Sequence, residues 1–386
     1  MTETDLPLFI PGNRSESGLR PTAAGHKCES PIIWLARLPP ILYGQAMTRV
    51  LITGSAGFIG FHLAQLLLDA GFTVTGYDGM TDYYDVRLKQ RRHQMLLQNP
   101  GFTAHTGMLE DFDHLRKLTL DERPDVIVHL AAQAGVRYSL ENPRAYIDAN
   151  LTGTFNVLEC ARELDVRHLL IASTSSVYGA NAKLPFREID RCDHPLTLYA
   201  ATKKAAEEMA HSYAHLWNLP VTMFRFFTVY GPWGRPDMAF FKFTRNVIEG
   251  KPIDVYNNGE MHRDFTYVAD LVRAVRLLLD MVPQRPDGPD GPKGIAPHDS
   301  LSPVAPFRVV NIGNGDKVPL PDFIAAIEEA CGRKAVRNYM PMQKGDVAAT
   351  WADTTLLGEL TGFRPQTGIG EGIRRFVAWY RDYYQV

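Results

Sequence analysis

Cysteine is scarce in this chain of 386 residues: Cys28, Cys160, Cys192 and Cys331 stand alone, none in a CxxC pair or beside a histidine. That scatter argues against a disulfide framework, a dithiol redox motif and a zinc site, and it fits a reducing cytoplasm. An excess of either charge is missing too. Lys plus Arg number 41 against 43 for Asp plus Glu, a net charge of -2, so neither nucleic acid nor an anionic membrane is recommended as the main partner. Long apolar runs are also absent. The one apolar cluster, Pro31 to Gly44, is interrupted by Arg37 and broken by Pro39 and Pro40. It is too short to span a bilayer and lacks the basic region and small-residue cleavage site of an export signal. The histidines show no metal-ligand spacing, so no metal is expected, and no repeat or heptad is visible. The partner left by these exclusions is a small molecule.

What is present is an ordinary globular composition, 45% hydrophobic and 22% charged, with enough length for one large or two coupled domains. Residues 1–46 read as a polar, Gly- and Pro-punctuated extension, expected to be poorly ordered, with Met47 just ahead of the first clear strand. From there β-branched runs alternate with amphipathic stretches: Val50 to Thr53, Thr73 to Tyr77, Thr103 to Thr106, Val126 to Leu130, Leu169 to Ala172 and Val221 to Phe226. Buried strands separated by helices predict an α/β fold, a doubly wound parallel sheet of the Rossmann kind. Ile59, Leu63, Leu66, Leu67 and Ala70 mark one face of the first helix. After Gly231 the pattern loosens, and Pro283 to Pro306 reads as a surface loop or linker. A strand at Arg308 to Ile312 and a helix at Leu320 to Cys331 follow. The expected division is 47–229 for a dinucleotide-binding domain and 230–386 for a smaller carboxy-terminal α/β substrate domain, with some elements interleaved.

The first strand runs into Gly54-Ser55-Ala56-Gly57-Phe58-Ile59-Gly60 and then a helix. Glycine suits such a turn because a side chain would block a pyrophosphate, while the helix start offers unpaired N–H groups and partial positive charge. Asp78, eighteen residues past Gly60, ends the second strand, where a carboxylate accepts bonds from adenosine ribose hydroxyls and repels a 2'-phosphate. The cofactor expected is NAD rather than NADP.

Tyr199 and Lys203 stand four apart, on one face if the segment is helical. A free tyrosine titrates at about 10, so a phenol serves as general base near neutrality only where positive charge stabilises the phenolate; Lys203 and a nicotinamide ring are the expected sources. Alone the spacing is weak. With the glycine turn, and with Ser173-Thr174-Ser175-Ser176 at the end of a strand, it resembles the extended short-chain dehydrogenase/reductase family, over nearly all of 48–386. The resemblance implies that Thr174, Tyr199 and Lys203 are the catalytic triad. It also implies that Ala131, Ala132, Gln133 and Asn150 line the nicotinamide and ribose side, and that Leu109 lies at the cofactor site.

Within that family, Arg225 to Met238, Tyr199 to Lys204 and Arg263 to Tyr267 closely resemble the UDP-glucuronate 4-epimerases. This resemblance implies C4 epimerisation of UDP-glucuronate to UDP-galacturonate through a 4-keto sugar, and a homodimer. Sugar dehydratases carry an Asp-Glu pair where this chain has Ser175 and Ser176, and UDP-glucuronate decarboxylases usually place Glu at Ser176 and Asn at Thr228. The hydroxyls of Thr174, Ser175, Ser176 and Thr228 suit a substrate carboxylate, since they donate without adding negative charge. Arg235 and Arg263 suit a diphosphate, because guanidinium forks match phosphate oxygens, and Asp346 is a candidate for a ribose hydroxyl. A decarboxylase, an epimerase of another UDP-sugar and a non-catalytic NAD sensor are the alternatives. One departure stands out: Met108 occupies a place where the family usually has an Asp beside the adenine, which predicts weaker NAD retention.

Overall fold

A computed structural model describes residues 48–286 and 296–386. The extension expected over 1–46 and part of the Pro283 to Pro306 loop lie outside the described residues; the loop's described flanks carry neither helix nor strand.

The strands in chain order are β1 (Arg49–Thr53), β2 (Thr73–Asp78), β3 (Phe102–Thr106), β4 (Val126–His129), β5 (His168–Thr174), β6 (Val221–Phe226), β7 (Thr228–Tyr230), β8 (Ile253–Tyr256), β9 (His262–Arg263), β10 (Phe265–Tyr267), β11 (Phe307–Ile312), β12 (Val318–Pro319) and β13 (Arg337–Met340). The helices are α1 (Phe58–Asp69), α2 (Val86–Leu96), α3 (Phe112–Glu122), α4 (Tyr138–Glu141), α5 (Pro143–Tyr146), α6 (Gly153–Leu164), α7 (Leu198–Trp217), α8 (Ala239–Glu249), α9 (Val268–Leu278), α10 (Leu320–Cys331), α11 (Thr355–Thr361) and α12 (Ile369–Tyr384).

Seven strands form one parallel sheet in the order β11-β6-β5-β4-β1-β2-β3. The central strands β1, β4, β5 and β6 are buried nearly throughout because helices cover both faces, whereas the edge strand β3, expected to be buried at Thr103 to Thr106, buries only Phe102. Val50, Ile52, Val126, Val128 and Leu170 enter the core shared with α1 and α9. Their neighbours Leu51, Ile127, Leu169 and Ile171 enter the other, with Leu115 of α3, Val157 of α6 and Ala210 of α7. Of the stripe read from sequence in α1, Leu63 and Leu67 are buried while Ile59, Leu66 and Ala70 are half-buried, and Phe58, Phe61 and Ala64 complete the covered face. The short pairs β7–β10, β9–β12 and β8–β13 accompany α8, α10 and α12 in the carboxy-terminal part, while β11 from that part completes the large sheet. The chain order reverses between β1 and β4, so the carboxyl ends of these strands open a crevice there. Among the described residues no helix is long and apolar enough to cross a membrane.

Candidate active site

A cavity of ≈ 460 Å³ lies over the carboxyl ends of the sheet strands. At one end is the glycine turn. Gly54 has φ +77, and a Cβ on Gly60 would sit 2.1 Å from the Gly54 carbonyl oxygen, so the turn closes only without side chains. Gly57 caps α1 with no side-chain cap and no acidic residue in the first turn, which leaves the helix start open to an anion. Asp78 at the end of β2 is buried; its Oδ2 accepts from Ala56 N at 3.0 Å and its Oδ1 from Met80 N at 2.8 Å. The carboxylate therefore pins the turn and still has lone pairs for a ribose.

The wall also includes Phe58, Ile59, Leu109, Ala131, Ala132 and Gln133, together with Thr174, Ser175, Ser176, Tyr199, Lys203, Thr228, Arg235, Arg263 and Asp346. Segments far apart in sequence thus share one cavity. Asn150 does not reach it. It lies in the π-helical turn Ile147–Thr152, and its amide faces inward, bonding Gln133 N (2.9 Å), Gln133 O (3.0 Å) and Thr202 Oγ1 (3.1 Å). Asn150 is buried and orients Gln133, so the expectation that it lines the site is corrected.

Helix α7 starts where Thr197 accepts a bond from Ala200 N, and its Ala-rich body favours helix. Tyr199 therefore falls in the first turn and Lys203 one turn on. Burial pushes the Tyr199 phenol up, against the Thr174 hydroxyl and the Arg235 charge, which pull it down. Lys203, buried, is itself pushed down to about 8, with Glu207 opposing. Thr174 Oγ1 accepts from Ser176 N at 3.2 Å and lies 3.3 Å from Ser176 Oγ, which starts a short 3-10 turn carrying Ser175 and Ser176.

Arg263 is held by the carbonyls of His262 (2.8 Å) and Ala348 (3.3 Å) and makes no ion pair among the described residues. Burial pulls its pKa down, with Asp346 opposing. A desolvated cation without a partner suits an anionic ligand. Arg235 pairs with Asp237 at 3.0 and 2.6 Å, and Tyr83 also donates to Asp237. Asp346 pairs with Arg137 at 3.2 Å. Met108, 40% exposed, lies in the wall as well.

Sequence reading missed Tyr83, Tyr84 and Lys89, which follow β2 and line the cavity; no local motif marks them. It also missed a buried network behind α7. Glu207 accepts from Ser173 Oγ (2.6 Å) and from Arg225 Nε (3.0 Å) and Nη2 (2.8 Å). Burial works to raise the Glu207 pKa, but Arg225 brings it to about 2. His129 is a bonded core histidine, between Thr53 (2.7 Å) and Thr154 (3.2 Å).

Comparison with known proteins agrees with this geometry. The NAD dependent epimerase/dehydratase family profile matches residues 50–289. A Rhizobium meliloti protein named "Probable UDP-glucuronate 4-epimerase" is 56% identical over 337 residues, 87% of this chain and 98% of that protein. The crystal structure of UDP-glucuronic acid 4-epimerase from Bacillus cereus, in complex with UDP-glucuronic acid and NAD, aligns with a TM-score of 0.77 at 30% identity, covering 87% of this chain and 100% of that one. UDP-glucose 4-epimerase from Thermotoga maritima, with UDP-glucose, aligns with a TM-score of 0.75 at 27% identity, covering 87% and 100%. Shared motifs, sequence identity and fold place this chain in the NAD dependent epimerase/dehydratase family, within the extended short-chain dehydrogenases/reductases.

Proposed function

We propose that this chain is an NAD-dependent epimerase that inverts C4 of a UDP-hexuronic acid, converting UDP-glucuronate to UDP-galacturonate. The observation that carries the reading is the meeting of four neutral hydroxyls, Thr174, Ser175, Ser176 and Thr228, with Tyr199 in one cavity. The Rhizobium meliloti and Bacillus cereus proteins, named for this activity, support it.

The open helix start at the glycine turn and the buried Asp78 fit a dinucleotide, with the turn at its pyrophosphate and Asp78 at a ribose. NAD bound there supplies a hydride acceptor and a positive ring charge. Tyr199 takes the C4 hydroxyl proton and later returns it, while Thr174 donates toward the same oxygen and Lys203 adds positive charge beneath. Burial raises the Tyr199 pKa, so the phenol becomes a base only when cation is added around it. The 4-keto product is a β-keto acid, which loses carbon dioxide when its carboxylate turns perpendicular to the ketone plane. The remaining hydroxyls, Ser175, Ser176 and Thr228, hold the carboxylate away from that geometry while Thr174 attends the C4 oxygen. Arg263 grips the diphosphate, and Arg235 joins it on exchanging Asp237 for phosphate. In this reading 47–229 holds the cofactor and 230–386 the substrate, and the active species is a cytoplasmic homodimer.

The test is incubation of purified protein with UDP-glucuronate, without and with added NAD, followed by proton NMR. UDP-galacturonate with little UDP-pentose is the expected outcome. UDP-pentose as main product makes the chain a decarboxylase, and no turnover with NAD present rejects the assignment.

A further inference from the structure

Arg92 of α2 is fully buried, yet it touches neither the cavity nor, among the described residues, any carboxylate within ion-pair distance. Its partners are neutral: Nη1 donates to Ala56 O at 2.8 Å and to Tyr84 Oη at 3.0 Å, and Nη2 to Trp233 O at 2.5 Å and Gly234 O at 3.4 Å. Nε has no partner. Burying a guanidinium is costly, and carbonyls offset it only in part. Its place explains the expense. Ala56 is the middle of the glycine turn, and its N–H is held by Asp78. Next door Ser55 Oγ meets His93 Nε2 at 2.9 Å, so α2 grips the turn through two consecutive residues.

At the other end, Trp233 has φ +59, a left-handed conformation that a side chain disfavours. The guanidinium bond to its carbonyl and edge packing on Phe61 hold it there. Two residues on, Arg235 enters the cavity wall; beside Tyr84, Tyr83 does the same. One side chain therefore spans the turn read as the cofactor's pyrophosphate site and the loop read as part of the substrate's diphosphate site.

We infer that Arg92 is a positioning residue that couples the two sites: an anion at the glycine turn stabilises the forked arrangement, and that arrangement holds the Trp233–Gly234 turn that presents Arg235. This rests on the NAD and UDP-sugar reading above. Coupling is reciprocal, so each ligand tightens the other by the same factor.

The experiment uses full-length protein stripped of NAD and measures the Kd of UDP by calorimetry without and with saturating NAD, for wild type, Arg92→Lys and Arg92→Met. In wild type NAD is expected to tighten UDP by about fivefold or more. Lysine keeps the charge but not the fork, so both variants are expected to bring the ratio within about twofold of one. A role confined to packing would lower Tm and leave the ratio as in wild type, which overturns the inference, as does a wild-type ratio of one. Hydrogen exchange on the wild type needs no variant: NAD is expected to slow the amides around Trp233 to Arg235, and unchanged exchange rejects the coupling. Wild type that binds no NAD at all brings down the cofactor reading itself, a separate result.

Discussion

Replacing Glu207 with Gln keeps the side chain's size and removes one charge of a buried ion pair. Glu207 is 2% exposed, accepts from Ser173 and twice from Arg225, and lies 3.2 Å from Lys204 Nζ. Burial pushes its pKa up and Arg225 outweighs it, taking it from 4.5 to about 2. At ~1.4 kcal/mol per unit that fall corresponds to about 3 kcal/mol of stability. Removing one partner of a buried pair costs about 3–5 kcal/mol, in agreement. A depressed carboxylate stabilises the fold above its unfolded pKa and loses that contribution as pH falls through the folded value. Urea denaturation near neutrality should therefore show Glu207→Gln less stable by about 3 kcal/mol, with the gap narrowing toward about pH 2. A second readout separates fold from chemistry. Glu207 opposes the burial that depresses Lys203, so without it Lys203 loses its proton at lower pH, and the alkaline limb of the kcat profile moves down. A stability loss below about 1 kcal/mol would refute the energetic reasoning. An unmoved alkaline limb would confine Glu207 to the fold.

Four shorter expectations follow from the same geometry. Tyr199→Phe should lower kcat by about 10²–10⁴-fold while UDP still binds in calorimetry; unchanged turnover removes Tyr199 as the base. Gly60→Ala drives a Cβ to 2.1 Å from the Gly54 carbonyl oxygen, so NAD affinity in titration should drop on the order of tenfold or more, ~1.4 kcal/mol. Burial raises the Glu188 carboxyl to about 7 against the Asn311 N–H. The neutral form is favoured in the fold, so its contribution is present below pH 4.5 and lost as pH rises through about 7; Glu188→Gln should flatten that part of the wild-type denaturation profile. Met108→Asp should leave more NAD bound after gel filtration, read from absorbance of the released nucleotide, and full occupancy of freshly purified wild type would count against the reasoning.

The glycine turn and the Tyr199–Lys203 pair were legible because each is a local property: a turn too tight for side chains, and a spacing that one helical turn brings to one face. The central sheet strands were legible because two-sided burial demands apolar runs, while the edge strand β3 was found without the burial expected of it. Asn150 was misplaced because its amide is spent on Gln133 and Thr202, contacts between distant segments that no local pattern reveals. Arg235 was chosen for its fork of donors, and its pairing with Asp237 was not foreseen.

Sequence by itself determined the strands of the large sheet, the first helix, the glycine turn and the Tyr199–Lys203 spacing, since each depends on residues within a few positions of one another. Only the tertiary structure decided what each buried charge meets. Arg137 reaches Asp346, Arg225 neutralises Glu207, and Arg92 bridges Ala56 to Trp233. Such pairings depend on chain crossings between distant segments, and electrostatic interaction acts through separation in space and local dielectric rather than position along the chain.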